Sequence, residues 1–103
     1  MKANRRVNLE KAGWHVGTAD EFLGLSAEES AYIDMKLALS DALKKTRIKK
    51  RMSQVVLAER IASSQSRVAK MESGDSSVSI DLLVKSLLAL GATQKDVAKA
   101  LGS

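Results

Sequence analysis

Apolar positions recur at helical spacing from about residue 27 to the end of the chain. Tyr32, Met35, Leu39 and Leu43 follow one another at three- and four-residue intervals, and Ile33 and Leu37 widen the stripe. That is the period of one face of a helix, expected over residues 27–50. Ser26 and Glu29 have capping-box spacing just ahead of it. The acids Glu28, Glu29 and Asp34 lie near its start, and Lys44, Lys45, Arg47, Lys49, Lys50 and Arg51 near its end. Both placements suit the helix dipole. Shorter units follow. Ser53 can cap a helix over residues 54–61 that buries Leu57, Ala58 and Ile61. Ala62 and Ser63 form a tight turn. Ser64 caps Gln65–Ser73, whose inner face is Val68 and Met71, and Gly74 stops it. Residues 75–77 are a loop. Ser79 caps a fourth helix with Ile80, Leu83, Leu87 and Leu90 inside, ended by Gly91. Thr93 and Asp96 open a fifth, carrying Val97 and Leu101.

Residues 1–26 differ from the rest. Residues 5–12 can form a short helix closed by Gly13, with Trp14, His15 and Val16 as a brief extended stretch before Gly17. Thr18 and Glu21 again have capping-box spacing, followed by Phe22 and Leu23, and Gly24 ends the turn. The expected division is an N-terminal extension, 1–26, and a helical domain, 27–103.

Composition narrows the class. With 103 residues, no proline, one residue each of Trp, Tyr and Phe, and much Ala, Leu, Lys and Ser, the chain favours an all-α domain. The absence of cysteine removes disulfides, zinc-thiolate sites and thiol chemistry. A net charge of +5 points toward a polyanion, with nucleic acid the usual one. No apolar run reaches the roughly 18 residues of a membrane span, and no apolar signal core follows the basic start. The expectation is a soluble, cytoplasmic protein with no membrane partner. An enzyme reading has nothing to stand on: one histidine, no cysteine, no paired-carboxylate setting and no phosphate-cradling loop. No metal, cofactor or small-molecule ligand is implied.

Two short helices joined by a very short turn, 54–61 and Gln65–Ser73, form a helix-turn-helix, in which the second helix enters the DNA major groove. Groove reading needs polar side chains on the outer face near that helix's N-terminus. Ser64, Gln65, Ser66, Arg67 and Lys70 fit; glutamine pairs two-pronged with adenine and arginine with guanine. Gln54, at the start of the preceding helix, is placed to grip a phosphate. Lys44, Arg47, Lys50 and Arg51 are candidates for sequence-independent backbone contact. Like most charge runs they form mainly a solvated helix end.

The run Ser53-Gln54, Leu57-Ala58, Ile61, then Ser64 to Val68, Lys70-Met71-Glu72 and Gly74, resembles the Xre, or lambda-repressor-like, helix-turn-helix family. Residues 78–83 and 90–92 resemble that family's fourth helix. The resemblance implies a five-helix domain that binds double-stranded operator DNA as a homodimer. The chain departs from the pattern at Ala62, where the family often has glycine, at Thr46, where an aliphatic residue is common, and at Val55 and Val56, usually charged. The stretch 9–25, taken with the long helix and residues 63–72, is similar to HigA-type antitoxins. That implies a RelE/HigB-like mRNA-cleaving toxin as partner and repression of the shared operon.

Trp14, Val16, Phe22 and Leu23 are then candidates for a toxin-docking surface, or else for extra core on the long helix. His15 reads as a structural or exposed histidine. Two other functions stay open: a stand-alone, phage-like Xre repressor without a toxin, and a helical protein-interaction adaptor that binds no DNA.

Overall fold

A computed structural model describes residues 26–102. All the regular structure in this range is helical: α1 (Ala27–Lys49), α2 (Gln54–Arg60), α3 (Gln65–Ser73), α4 (Ile80–Ala89) and α5 (Gln94–Gly102). The expected all-α, five-helix architecture is the one found. The readings made for residues 1–25, including the short helices and Trp14, Val16, Phe22 and Leu23, lie outside the described residues.

Contacts divide the chain inside α1, into Met1–Asp34 and Met35–Ser103. The described part of the first unit is the start of α1. Ser26 and Glu29 form the expected reciprocal cap: the Ser26 N–H donates to Glu29 Oε1 at 3.1 Å, and the Glu29 N–H to Ser26 Oγ at 3.0 Å. Ser30 is buried, whereas Tyr32 and Ile33 are exposed.

The second unit encloses a core of Leu39 and Leu43 from α1, Leu57 and Ala58 from α2, Val68 and Met71 from α3, Val78 from the loop, and Leu83, Leu87 and Leu90 around α4. Ile61, Ile80 and Val97 pack partly against it. Truncating one of the buried leucines to alanine would cost about 2–5 kcal/mol, because transfer and cavity terms add. Three serines start three helices as expected. Oγ of Ser53, Ser64 and Ser79 accepts from the N–H of Val56, Arg67 and Leu82 at 3.1–3.2 Å. At α5, Thr93 and Asp96 cap one another.

The inner face of α1 differs from the expected stripe. Met35 and Leu37 are exposed, and Lys36, Leu39, Ser40 and Leu43 are buried. These four follow at helical spacing and define one arc. Residues 35 and 37 flank Lys36 by about 100° on either side, so they turn away from that arc. A sequence reading that follows the largest apolar residues misses a buried cation on the stripe.

Two corners place non-glycine residues in the left-handed region. Arg51, between α1 and α2, has φ +57°, and Ala62, between α2 and α3, has φ +54°. Backbone bonds hold both turns: Arg51 N–H to the Ile48 carbonyl, Met52 N–H to Arg47, and Ser63 N–H to Ala58. The departure at Ala62 is therefore a strained position, since a Cβ is disfavoured there. Thr46 is half-buried and Val55 and Val56 are exposed.

Candidate nucleic-acid interface

α2 and α3 are tied by a chain of side-chain hydrogen bonds that begins in the interior. Arg47, at the end of α1, is almost enclosed. Its Nε donates to Glu72 Oε2 at 2.6 Å, its Nη2 to Glu72 Oε1 at 3.1 Å, and its Nη1 to the Met52 carbonyl at 2.7 Å. The Arg47 and Glu72 side chains are 12% and 3% exposed. Gln54 Nε2 donates to Glu72 Oε1 at 3.2 Å, and Gln65 Nε2 donates to Gln54 Oε1 at 3.0 Å.

The order of donors follows from charge. An ionised carboxylate only accepts. Glu72 therefore turns the amide nitrogen of Gln54 toward itself, which leaves Gln54 Oε1 facing Gln65. Gln65 must answer with its own nitrogen. What remains free on Gln65 is its carbonyl oxygen and the second amide hydrogen, side by side on an exposed residue at the first turn of α3.

The other expected base-reading residues lie on the same helix. Ser66, Arg67 and Lys70 are exposed, with Val68 and Met71 buried behind them. Ser64 is the cap: its oxygen accepts from the N–H of Arg67, and its O–H is left to donate outward. Gly74, at φ +75°, closes α3.

The basic residues at the end of α1 and in the corner after it divide. Lys44, Lys50 and Arg51 are exposed. Lys50 lines an open cleft beside the α4–α5 turn with Thr46, Lys49, Gly91, Ala92 and Asp96. Arg47, expected among the backbone contacts, instead spends its guanidinium on Glu72 and Met52 inside the fold, an arrangement that does not fit a phosphate contact. Sequence spacing alone does not pair Glu72 with Arg47, because the two lie 25 residues apart. The available signal is that Glu72 is the single acid of α3.

A helix-turn-helix family profile, HTH_3, matches residues 43–91. This segment is similar to Xre-type helix-turn-helix DNA-binding domains. Proteins of this family regulate transcription and are not enzymes. The helices described above are consistent with a lambda-repressor-like fold. Neither the curated proteins nor the solved structures searched contain a match. No described helix is long and apolar enough to cross a membrane.

Proposed function

We propose that the protein is a transcriptional repressor that reads its operator through the outer face of α3, as a homodimer, and that it is the antitoxin of a toxin–antitoxin pair. The observation that carries DNA reading is the relay from Arg47 through Glu72 and Gln54 to Gln65. It leaves Gln65 with one acceptor and one donor in fixed order. An adenine edge in the major groove presents the complement, N6 as donor and N7 as acceptor. Arg67 and Lys70 stand alongside for neighbouring bases, and the free hydrogen of Gln54 and the hydroxyl of Ser64 are suited to phosphates. Lys44, Lys50 and Arg51 supply salt-dependent affinity. Two copies place their α3 helices in successive major grooves, about one DNA turn apart.

The antitoxin role rests on the likeness of residues 9–25, the long helix and residues 63–72 to HigA-type antitoxins. Trp14, Val16, Phe22 and Leu23 are the proposed docking residues for a RelE/HigB-like toxin. The exposed Val55 and Val56 of α2 add apolar surface that a partner can cover.

Gel-shift titration against the DNA upstream of the protein's own reading frame, at two salt concentrations, tests the first claim. Gln65→Ala should weaken binding by about 1–3 kcal/mol and relax preference at one base pair, with the salt slope unchanged. A helical adaptor would be indifferent to that change. Co-expression with the neighbouring reading frame tests the second claim. A stable complex and relief of growth arrest support the antitoxin role; failure of both leaves a stand-alone repressor.

A further inference from the structure

A lysine lies among the core residues of α1. Lys36 is 8% exposed, and its Nζ donates to the backbone carbonyl of Ser76 at 3.1 Å. Lysine is almost never buried so fully without a partner. Enclosing an ammonium carries a desolvation cost that an aliphatic side chain of the same length avoids. A cation retained here is poorly explained by stability alone, so what its bond fixes is the informative question.

The bond fixes the loop that ends α3. That loop is internally tied. Asp75 Oδ1 accepts from the N–H of Ser77 at 2.8 Å and from its hydroxyl at 2.6 Å, and the Val78 N–H donates to the Asp75 carbonyl at 3.1 Å. The Val78 side chain is in the core. Next to the loop, a Cβ added to Gly74 would come within 2.5 Å of Leu37 Cδ2, so α1 lies directly against the cap of α3. The hydrogen bonds from Ser77 hold the Asp75 carboxyl below its ordinary value, with smaller help from the charges of Lys70 and Lys36.

Lys36 and Arg47 sit about three turns apart on one face of α1, with Leu39, Ser40 and Leu43 between them. Arg47 holds Glu72, before Gly74, and Lys36 holds Ser76, after it. The end of α3 is thus gripped on both sides of its cap by two cations from the same helix. A nine-residue helix is about 13 Å long, so a tilt of roughly 5° moves its far end by about 1 Å. Base-edge hydrogen bonds do not survive an error of that size.

We propose that Lys36 is a positioning residue for sequence recognition: it sets the pose in which α3 is offered to the duplex and touches no DNA itself. This rests on the DNA-reading function proposed above. The test uses the full chain. A preferred duplex is selected from a random-sequence pool with the wild-type protein. Affinities for that duplex and for a scrambled one of equal length and composition are then measured at three salt concentrations for wild type and Lys36→Met. Lys36→Met should melt cooperatively, bind the selected duplex at least about tenfold more weakly, and keep wild-type affinity for the scrambled duplex and a wild-type salt slope. Leu83→Val, a core change outside α3, should lower stability and leave the ratio of the two affinities alone. An unchanged ratio in Lys36→Met overturns the proposal. So does an equal loss on both duplexes with the salt slope reduced by about one, the mark of a phosphate contact. If Lys36→Met does not fold, Lys36→Arg takes its place: a bulkier cation under the same loop must also lower the ratio, and a wild-type ratio there overturns the proposal equally. A wild-type protein that selects no duplex defeats the DNA-reading function itself, which is a separate result.

Discussion

Replacing Glu72 by glutamine separates what the Arg47–Glu72 pair does for stability from what it does for recognition. Removing one partner of a buried ion pair leaves the other charge uncompensated and costs about 3–5 kcal/mol. Both side chains are enclosed, 12% and 3% exposed, so solvent screening discounts little of this. Glutamine keeps the shape and one acceptor, which places the expected loss near the lower end, about 3 kcal/mol. Against a total of roughly 5–15 kcal/mol for a small domain, the variant should remain folded but weakened. In urea, with a slope of about 1–3 kcal/mol/M, the midpoint should fall by roughly 1–3 M with the slope unchanged. Recognition should fail separately. The amide at position 72 can present either nitrogen or oxygen to Gln54, so the order of donors along Gln54 and Gln65 is no longer imposed. The double change Arg47→Met, Glu72→Leu removes both charges and should recover most of the stability, as apolar replacements of buried pairs often do. It should not recover discrimination between the selected and scrambled duplexes. A Glu72→Gln unfolding free energy within about 0.5 kcal/mol of wild type would refute the stability argument. A double variant that regains both properties would refute the relay.

Ala62→Gly should stabilise the domain by up to about 1 kcal/mol, because relief of left-handed strain of about 1–2 kcal/mol is partly offset by glycine's extra freedom when unfolded; thermal melts that fall instead would contradict the strain. Ser40→Ala should stabilise by about 1 kcal/mol or more, since the Ser40 hydroxyl is buried with no hydrogen-bond partner; denaturant titration reads the sign. Asp75 and Asp96 both titrate below their ordinary value of 3.8. Hydrogen bonds from Ser77 hold Asp75 down, and those from Thr93 hold Asp96 down, with smaller help from nearby lysines. Their folded values lie below the unfolded ones, so the stability they contribute is present above the unfolded value and is lost as pH falls through the folded one. Stability measured from pH 6 down to about pH 2 should therefore decline more gently in an Asp75→Asn, Asp96→Asn variant than in wild type.

The helices were legible wherever a local signal marked both ends. Ser53, Ser64 and Ser79 each announce a helix start, and each accepts the bond its position predicts. Gly74 announces the end of α3 and takes the left-handed turn. What stayed hidden depends on partners far away along the chain. In one dimension Arg47 cannot be told from Lys44, Lys50 or Arg51, and only the approach of α3 gives it Glu72. Lys36 looks solvated until α1 is rotated so that its neighbours Met35 and Leu37 face outward. Arg51 adopts a conformation usually left to glycine, and nothing in its own chemistry signals it. The face of α3 proposed to read bases is easier, because Val68 and Met71 mark the buried side and Gln65, Ser66, Arg67 and Lys70 stay exposed around it.

The residues that hold α3 and those proposed to read DNA belong to one hydrogen-bonded series, and this limits how recognition can change. Gln54 is pinned by Glu72 with its oxygen outward, so position 65 must supply a donor toward Gln54. Glutamine does so and keeps an acceptor for a base; arginine or lysine could do so and offer only donors. A glutamate could not, because its oxygens would face the oxygen of Gln54, and turning Gln54 over would set that oxygen against the carboxylate of Glu72. New specificity at position 65 is therefore limited to side chains that can donate toward Gln54, unless Gln54 changes with it. Coupling of this kind is non-additive by nature, and double-mutant cycles between positions 54 and 65 should show it where single substitutions cannot.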